Sequence, residues 1–164
     1  MKRGRIEPGP GQESVWDFPR PPRIEPVRAR VTVTLGGERI IDTTAALRVL
    51  ETSHPPAYYL PRADIVAQAL IAADGESWCE FKGAASYLSL AGGGVVAERA
   101  AWFYPTPSAG FESLSDFVSL YPGRVDECTV DGEIVTPQEG GFYGGWITAS
   151  IVGPFKGAPG TWGW

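Results

Sequence analysis

The feature that most constrains the fold is punctuation: 21 glycines and 15 prolines stand among 164 residues. Proline fixes φ and removes a backbone donor, while glycine admits left-handed backbone, so both interrupt helices. A chain broken this often is not a helix bundle; it reads as a turn-rich, mainly β protein. Its length suits one domain with a real core. Hydrophobic residues at 43% and charged residues at 20% are ordinary for a globular protein.

The prolines are unevenly spread. Pro8, Pro10, Pro19, Pro21, Pro22 and Pro26 all fall within residues 1–27, which read as a Pro-rich N-terminal arm in which regular pairing is not expected. Trp16 and Phe18 do not suit free disorder, so Trp16–Pro22 is expected to pack extended on the body. Residues 28–164 read as a single mostly-β domain that includes a Gly/Trp-rich C-terminal segment. The first thirty residues carry seven basic and four acidic side chains, against a net charge of -5 for the whole chain. The arm would therefore lie on an acidic body, and the acidic balance argues against a nucleic-acid partner. No run approaches the roughly 18 apolar residues of a membrane span, and no basic-then-apolar leader opens the chain. The expected location is the cytoplasm, with no membrane partner.

Period-two patterning marks the strands. Arg28, Arg30, Thr32 and Thr34 alternate with Ala29, Val31, Val33 and Leu35; Gly36-Gly37 then turns the chain into Glu38–Asp42. Leu47–Thr52 alternates Leu47, Val49 and Glu51 against Arg48, Leu50 and Thr52. Pro61 at a first turn, Asp64 beside it and Ile65, Ala69 and Leu70 near helical spacing predict a helix over 61–72, closed by Asp74-Gly75. Strands are expected again over 77–81, 84–90 and 95–104, the last two joined by Gly92-Gly93-Gly94. One helical turn is expected over 113–117, and strands over 118–121 and 125–130. Asp131-Gly132 signals another hairpin, and one short strand is expected over 146–152.

Motifs that would name a reaction are missing. There is no phosphate loop with its Lys-Ser or Lys-Thr and no nucleophile elbow. His54, the sole histidine, sits beside two prolines, a poor place for a catalytic triad. One histidine and two scattered cysteines do not make a zinc site, and no Asp-rich loop supports an oxygen-ligated cation, so neither metal nor cofactor is expected.

What stands out is a polar and aromatic set. Arg48 can fork onto an anion, with Glu51 orienting it or taking a proton; the competing use is an edge charge that blunts pairing. Tyr58 and Tyr59 lie between Pro55-Pro56 and Pro61, a restrained frame for rings that stack on a ligand or pack a loop. Lys82 precedes Gly83, whose missing side chain allows close approach to an anion; otherwise it is a solvated turn lysine. Cys79 reads as a small buried apolar residue. Tyr87, Trp102 and Tyr104 lie on paired strands, Trp102 suiting the core and Tyr104 a ligand contact. Trp146, Trp162 and Trp164 would clamp the tail.

Ordered segments carry a family resemblance: Trp16-Asp17-Phe18-Pro19-Arg20-Pro21-Pro22, Arg48-Val49-Leu50-Glu51-Thr52, Pro55-Pro56-Ala57-Tyr58-Tyr59-Leu60-Pro61 and Cys79-Glu80-Phe81-Lys82-Gly83. Trp102-Phe103-Tyr104-Pro105, Tyr121-Pro122-Gly123-Arg124-Val125, Val130-Asp131-Gly132-Glu133, Phe142-Tyr143-Gly144-Gly145-Trp146 and Gly153-Pro154-Phe155-Lys156-Gly157 follow. The chain resembles domain-of-unknown-function family 427, sometimes labelled nucleotidyltransferase-like, from about Trp16 to the end. Glu80 departs from the family pattern, which usually has Pro between the Cys and the aromatic residue. The resemblance implies a mainly β, Mss4-like fold and no established reaction.

The expected architecture is therefore hairpin-rich sheets or a flattened barrel, with one short helix and long packed termini. The expected function is binding of a small molecule, anionic or sugar-like, in a cleft lined by Arg48, Glu51, Tyr58, Tyr59, Lys82, Tyr87 and Tyr104. If the cleft is catalytic, Glu51 is the general acid or base and Lys82 the electrostatic stabiliser. A protein-interaction module is the alternative. Nucleotidyl transfer ranks last, because it needs a close carboxylate pair and Asp131, two residues from Glu133, falls in a hairpin turn. A homodimer is allowed.

Overall fold

The computed structural model describes residues 4–164. Its mainly β architecture is as expected. A seven-stranded sheet carries, in spatial order, β2 (Arg23–Pro26), β5 (Leu47–Leu50), β6 (Ala57–Pro61), β10 (Phe117–Leu120), β9 (Val95–Phe103), β8 (Gly83–Gly92) and β7 (Leu70–Cys79). A four-stranded sheet carries β12 (Glu133–Ile134), β11 (Glu127–Val130), β3 (Val31–Leu35) and β4 (Glu38–Thr43). Two small pairs complete the described residues: β1 (Glu13–Ser14) parallel to β15 (Ile151–Val152), and β13 (Thr136–Pro137) antiparallel to β14 (Trp146–Ile147). Each sheet is open, so the flattened-barrel alternative is not realised.

Three hairpins turn where glycine allows it. Gly36-Gly37, Gly93-Gly94 and Asp131-Gly132 all have positive φ at both positions, the geometry whose twist matches that of the flanking strands. The first two turns belong to different sheets and pack on each other. A Cβ at Gly93 would stand 1.8 Å from the Gly36 carbonyl oxygen.

The main core lies between the two large sheets. Val31, Val33, Leu35, Ile40 and Cys128 from the smaller sheet meet Tyr58, Leu60, Leu88, Leu90, Val118 and Leu120 from the larger. Trp146 is fully buried there, stacked on Tyr58 with centroids 4.7 Å apart.

Two expectations need correction. The helix over 61–72 is absent: Arg62–Asp64 and Ala67–Ala69 form separate 3-10 turns, and Leu70 already begins β7. The chain takes the strand because Leu70, Ile71 and Ala72 find backbone partners in Leu90, Ser89 and Leu88, a gain that local spacing does not reveal. Asp74-Gly75 then lies in a bulge between Ala72 and Glu76 instead of ending a helix. The helical segments of the described residues are single 3-10 turns, and none could cross a membrane. In the arm, regular pairing does occur: Arg23–Pro26 pairs with β5, and proline is tolerated because this is the sheet edge. Trp16 and Phe18 are buried as expected, in a third cluster with Val15, Leu50 and Ile151. Trp16 donates to the Pro154 carbonyl and packs on Trp164 at 5.4 Å, which ties the two terminal segments together.

Candidate functional site

The seven-stranded sheet has a second face, turned away from the four-stranded sheet. Strand register places Leu47, Tyr59, Ser119, Trp102 and Tyr87 side by side across five strands, so their side chains share that face. Val49, Ala57 and Ala85 extend it. Tyr104, Phe111 and Leu114, from the segment after β9, cover part of it. Over the remainder lies a cavity of about 270 Å³, floored by sheet side chains and walled by the 51–55 turn, the 79–82 turn, the 138–145 loop and Lys156.

Of the seven residues expected at the site, five line this cavity: Glu51, Tyr59, Lys82, Tyr87 and Tyr104. Arg48 and Tyr58 do not. Strand alternation sends Val49, Ala57 and Tyr59 to the cavity face and turns Arg48 and Tyr58 the other way. Tyr58 and Tyr59 are therefore no ring pair, since neighbours on a strand face apart. Arg48 bonds Glu13 at 2.8 Å and also pairs with Glu25. Burial works against its charge, but the two carboxylates outweigh it and hold the guanidinium pKa above its ordinary value. It fastens β1 and β2 to β5.

Lys82 is only 9% exposed. Its carbonyl accepts from the Ser108 amide at 2.9 Å, and Gly83 beside it adopts φ +103, which fixes the turn that delivers the ammonium. Nζ lies 5.9 Å from the Tyr104 ring centroid. Burial opposes its charge, but Tyr59, Cys79 and Glu51 together hold its pKa above the ordinary lysine value. Among the described residues, no carboxylate lies within ion-pair distance of Lys82 or Lys156. Glu51 faces Arg20 at 3.5 Å and His54 at 3.9 Å.

His54 is the residue that sequence reasoning missed. It closes the turn Glu51–His54, whose Ser53 has φ +73 and a buried hydroxyl with no partner, two costs carried at the point that presents Glu51 and His54. Burial depresses the imidazole pKa to about 3, with Lys156, Arg20 and Lys82 adding to the effect. The ring is therefore neutral at physiological pH. Gln138 sets its tautomer. The Gln138 carbonyl accepts from the Gly145 amide, so its amino group faces the Lys156 carbonyl at 2.6 Å and His54 Nδ1 at 3.3 Å. Nδ1 accepts and Nε2 carries the proton, directed toward Glu51.

Trp102 also lines the cavity, its indole N–H 3.3 Å from the Tyr59 hydroxyl. Burial raises the Tyr59 and Tyr104 pKa values, and raises Tyr121, beside Tyr87, to about 12. All three phenols are protonated at neutral pH. Tyr143 stands over His54 with centroids 4.9 Å apart. Gln138, Tyr143 and Lys156 belong to a Gly-rich segment whose sequence carries no periodic signal, and only tertiary contact brings them here. Trp102, expected in the core, lines the cavity instead, which its two-residue spacing from Tyr104 could have signalled.

Asp131 lies in the turn between β11 and β12 of the four-stranded sheet, and Glu133 begins β12. Each is occupied by a backbone amide, from Arg30 at 2.8 Å and from Ala149 at 2.6 Å. Among the described residues no cluster of three or more His, Cys, Asp or Glu side chains could hold a metal ion.

One family model matches, over residues 23–131, and its description is "Domain of unknown function (DUF427)". The match is shorter than the span of the resemblance. It includes Glu51, His54, Tyr59, Lys82, Tyr87, Trp102 and Tyr104 but stops before Gln138, Tyr143 and Lys156. No curated protein matches the chain.

Proposed function

The chain belongs to the DUF427 family, and on that premise we propose that it is a small-molecule-binding domain whose cavity takes an anion. The observation that carries this reading is the Lys82 ammonium, nearly buried in the cavity wall without a carboxylate partner among the described residues. A buried charge is costly unless it is paired, so such a lysine suits a site whose counter-charge arrives with the ligand. Lys156 and Arg20 reinforce it, since all three cations act on the same imidazole while Glu51 is the one carboxylate of the described residues that pairs with that ring. Should the site turn over its ligand, Glu51 would be the group that moves a proton, with the Nε2–H of His54 directed at its carboxylate, and Lys82 would stabilise negative charge. The nucleotidyltransferase label draws no support from Asp131 and Glu133, whose carboxylates hold the backbone.

The test is calorimetric titration of inorganic phosphate into the wild-type protein and Lys82→Met. Removing a charge-assisted bond of about 1.5–3 kcal/mol predicts at least tenfold weaker binding, with the melting temperature unchanged or raised. Equal affinity in both proteins, or no binding to wild type at millimolar phosphate, overturns the reading. A partner-binding module is the second reading, favoured by the exposure of Phe142 and Trp162.

A further inference from the structure

Resting on the anion reading above, we infer that the ligand is an aryl anion, its charged end entering first and its planar ring held at the mouth. Three observations combine.

The inner end supplies charge and few vacant neutral groups. Gln138 is used at both ends of its amide, by Gly145, Lys156 and His54. The Trp102 indole N–H is directed to Tyr59, and the Tyr121 hydroxyl to the Phe142 carbonyl at 3.3 Å. A sugar would bring several hydroxyls into a wall whose neutral donors and acceptors already serve one another, and buried polar groups without partners are penalised. Lys82 and Lys156, by contrast, have no carboxylate of the described residues within ion-pair distance, and Glu51, which acts on Lys82 from further off, is itself paired with Arg20.

The cavity is also small. About 270 Å³ falls just below the usual range for enclosed small ligands. Tyr143 and Phe142 are part of the same lining as Lys82, so a molecule larger than a simple anion that reaches Lys82 with one end meets these rings with the other.

The mouth is aromatic. From buried His54 the rings continue to Tyr143, then to Phe142 at 5.1 Å and to Trp162 at 6.0 Å. Phe142 is 58% exposed and Trp162 71%. The contacts are edge-to-face or tilted, at 86° and 45°, so neither Phe142 nor Trp162 is stacked face to face on Tyr143, and both keep most of their surface exposed. Such faces suit a further planar ring. Lys156 Nζ, 5.5 Å from the Tyr143 centroid, links this outer group to the charged end.

The experiment titrates inorganic phosphate, phenyl phosphate and glucose 6-phosphate into wild type, Phe142→Ala and Trp162→Ala by calorimetry. Both substituted side chains are exposed, so folding is expected to survive; circular dichroism checks it. The expected result is phenyl phosphate binding at least tenfold more tightly than inorganic phosphate, and glucose 6-phosphate no more tightly than inorganic phosphate. In at least one variant phenyl phosphate should lose most of that advantage while inorganic phosphate is unchanged. If the three bind equally, or glucose 6-phosphate binds best, the aryl inference falls and the anion reading stands. An advantage for phenyl phosphate that survives both substitutions removes the proposed ring site. If none binds wild type, the anion reading falls and takes this inference with it.

Discussion

Acidification from pH 7 to pH 5 should destabilise the protein through His54 alone by about 2 kcal/mol. In the unfolded chain the imidazole has its ordinary pKa of 6.5; in the fold, burial and then Lys156, Arg20 and Lys82 depress it to about 3. Between those values the unfolded chain binds a proton that the folded protein refuses, so stability rises with pH there. The contribution is present above pH 6.5 and is lost as pH falls toward 3. At pH 5 the loss is set by the distance below 6.5, roughly 1.5 units at 1.36 kcal/mol each, or about 2 kcal/mol. For a chain of this size that is a fall of about 4–8 °C in melting temperature. The assay is urea unfolding at pH 5 and 7 for wild type and His54→Gln. Carboxylates contribute to both proteins, so their difference isolates the imidazole. The variant should lose about 2 kcal/mol less than wild type. Identical pH dependence would refute the reasoning. Should His54→Gln fail to fold, NMR of wild type decides the matter, because the chain has a single histidine. Its ring protons should show no titration between pH 8 and 5, and a midpoint near 6.5 would show an ordinary, solvated imidazole.

Two further substitutions probe the scaffold. Gly93→Ala must place a Cβ on left-handed backbone and against the Gly36 carbonyl, whereas Gly94→Ala meets nothing within 4 Å. The first should cost about 3 kcal/mol by chemical denaturation, strain and overlap together, and the second about 1; similar losses would mean that the two turns are not in contact. Ser53→Gly relieves a left-handed residue and removes a partnerless buried hydroxyl. It should stabilise the protein by about 1 kcal/mol in thermal unfolding, and a loss of stability would show that the hydroxyl has a partner.

The hairpins were readable because their cause is local. Gly36-Gly37 and Asp131-Gly132 can adopt paired positive φ values, and no distant residue is needed to decide it. The parity of Val49 and Glu51 against Arg48 was readable for the same reason, and it assigns Glu51 to the cavity and Arg48 away from it once one face is known. Which face holds the cavity depends on where the four-stranded sheet packs, and that is a contact between residues far apart in the chain. The helix expected over 61–72 failed likewise: Ile65 and Ala69 are buried at the spacing of a helix, yet Leu70–Ala72 gains more from pairing with β8 than from a local turn. His54 shows the division most clearly. Its neighbours in sequence are prolines and a serine, which say nothing about charge. Its neutrality comes from burial and from cations at positions 20, 82 and 156, brought together by strand pairing and by Trp16 docking on the C-terminal segment. The left-handed backbone of a glycine turn is a property of adjacent residues and is written in the sequence. Desolvation and field are sums over everything nearby in space, and the tertiary structure alone determines what is nearby.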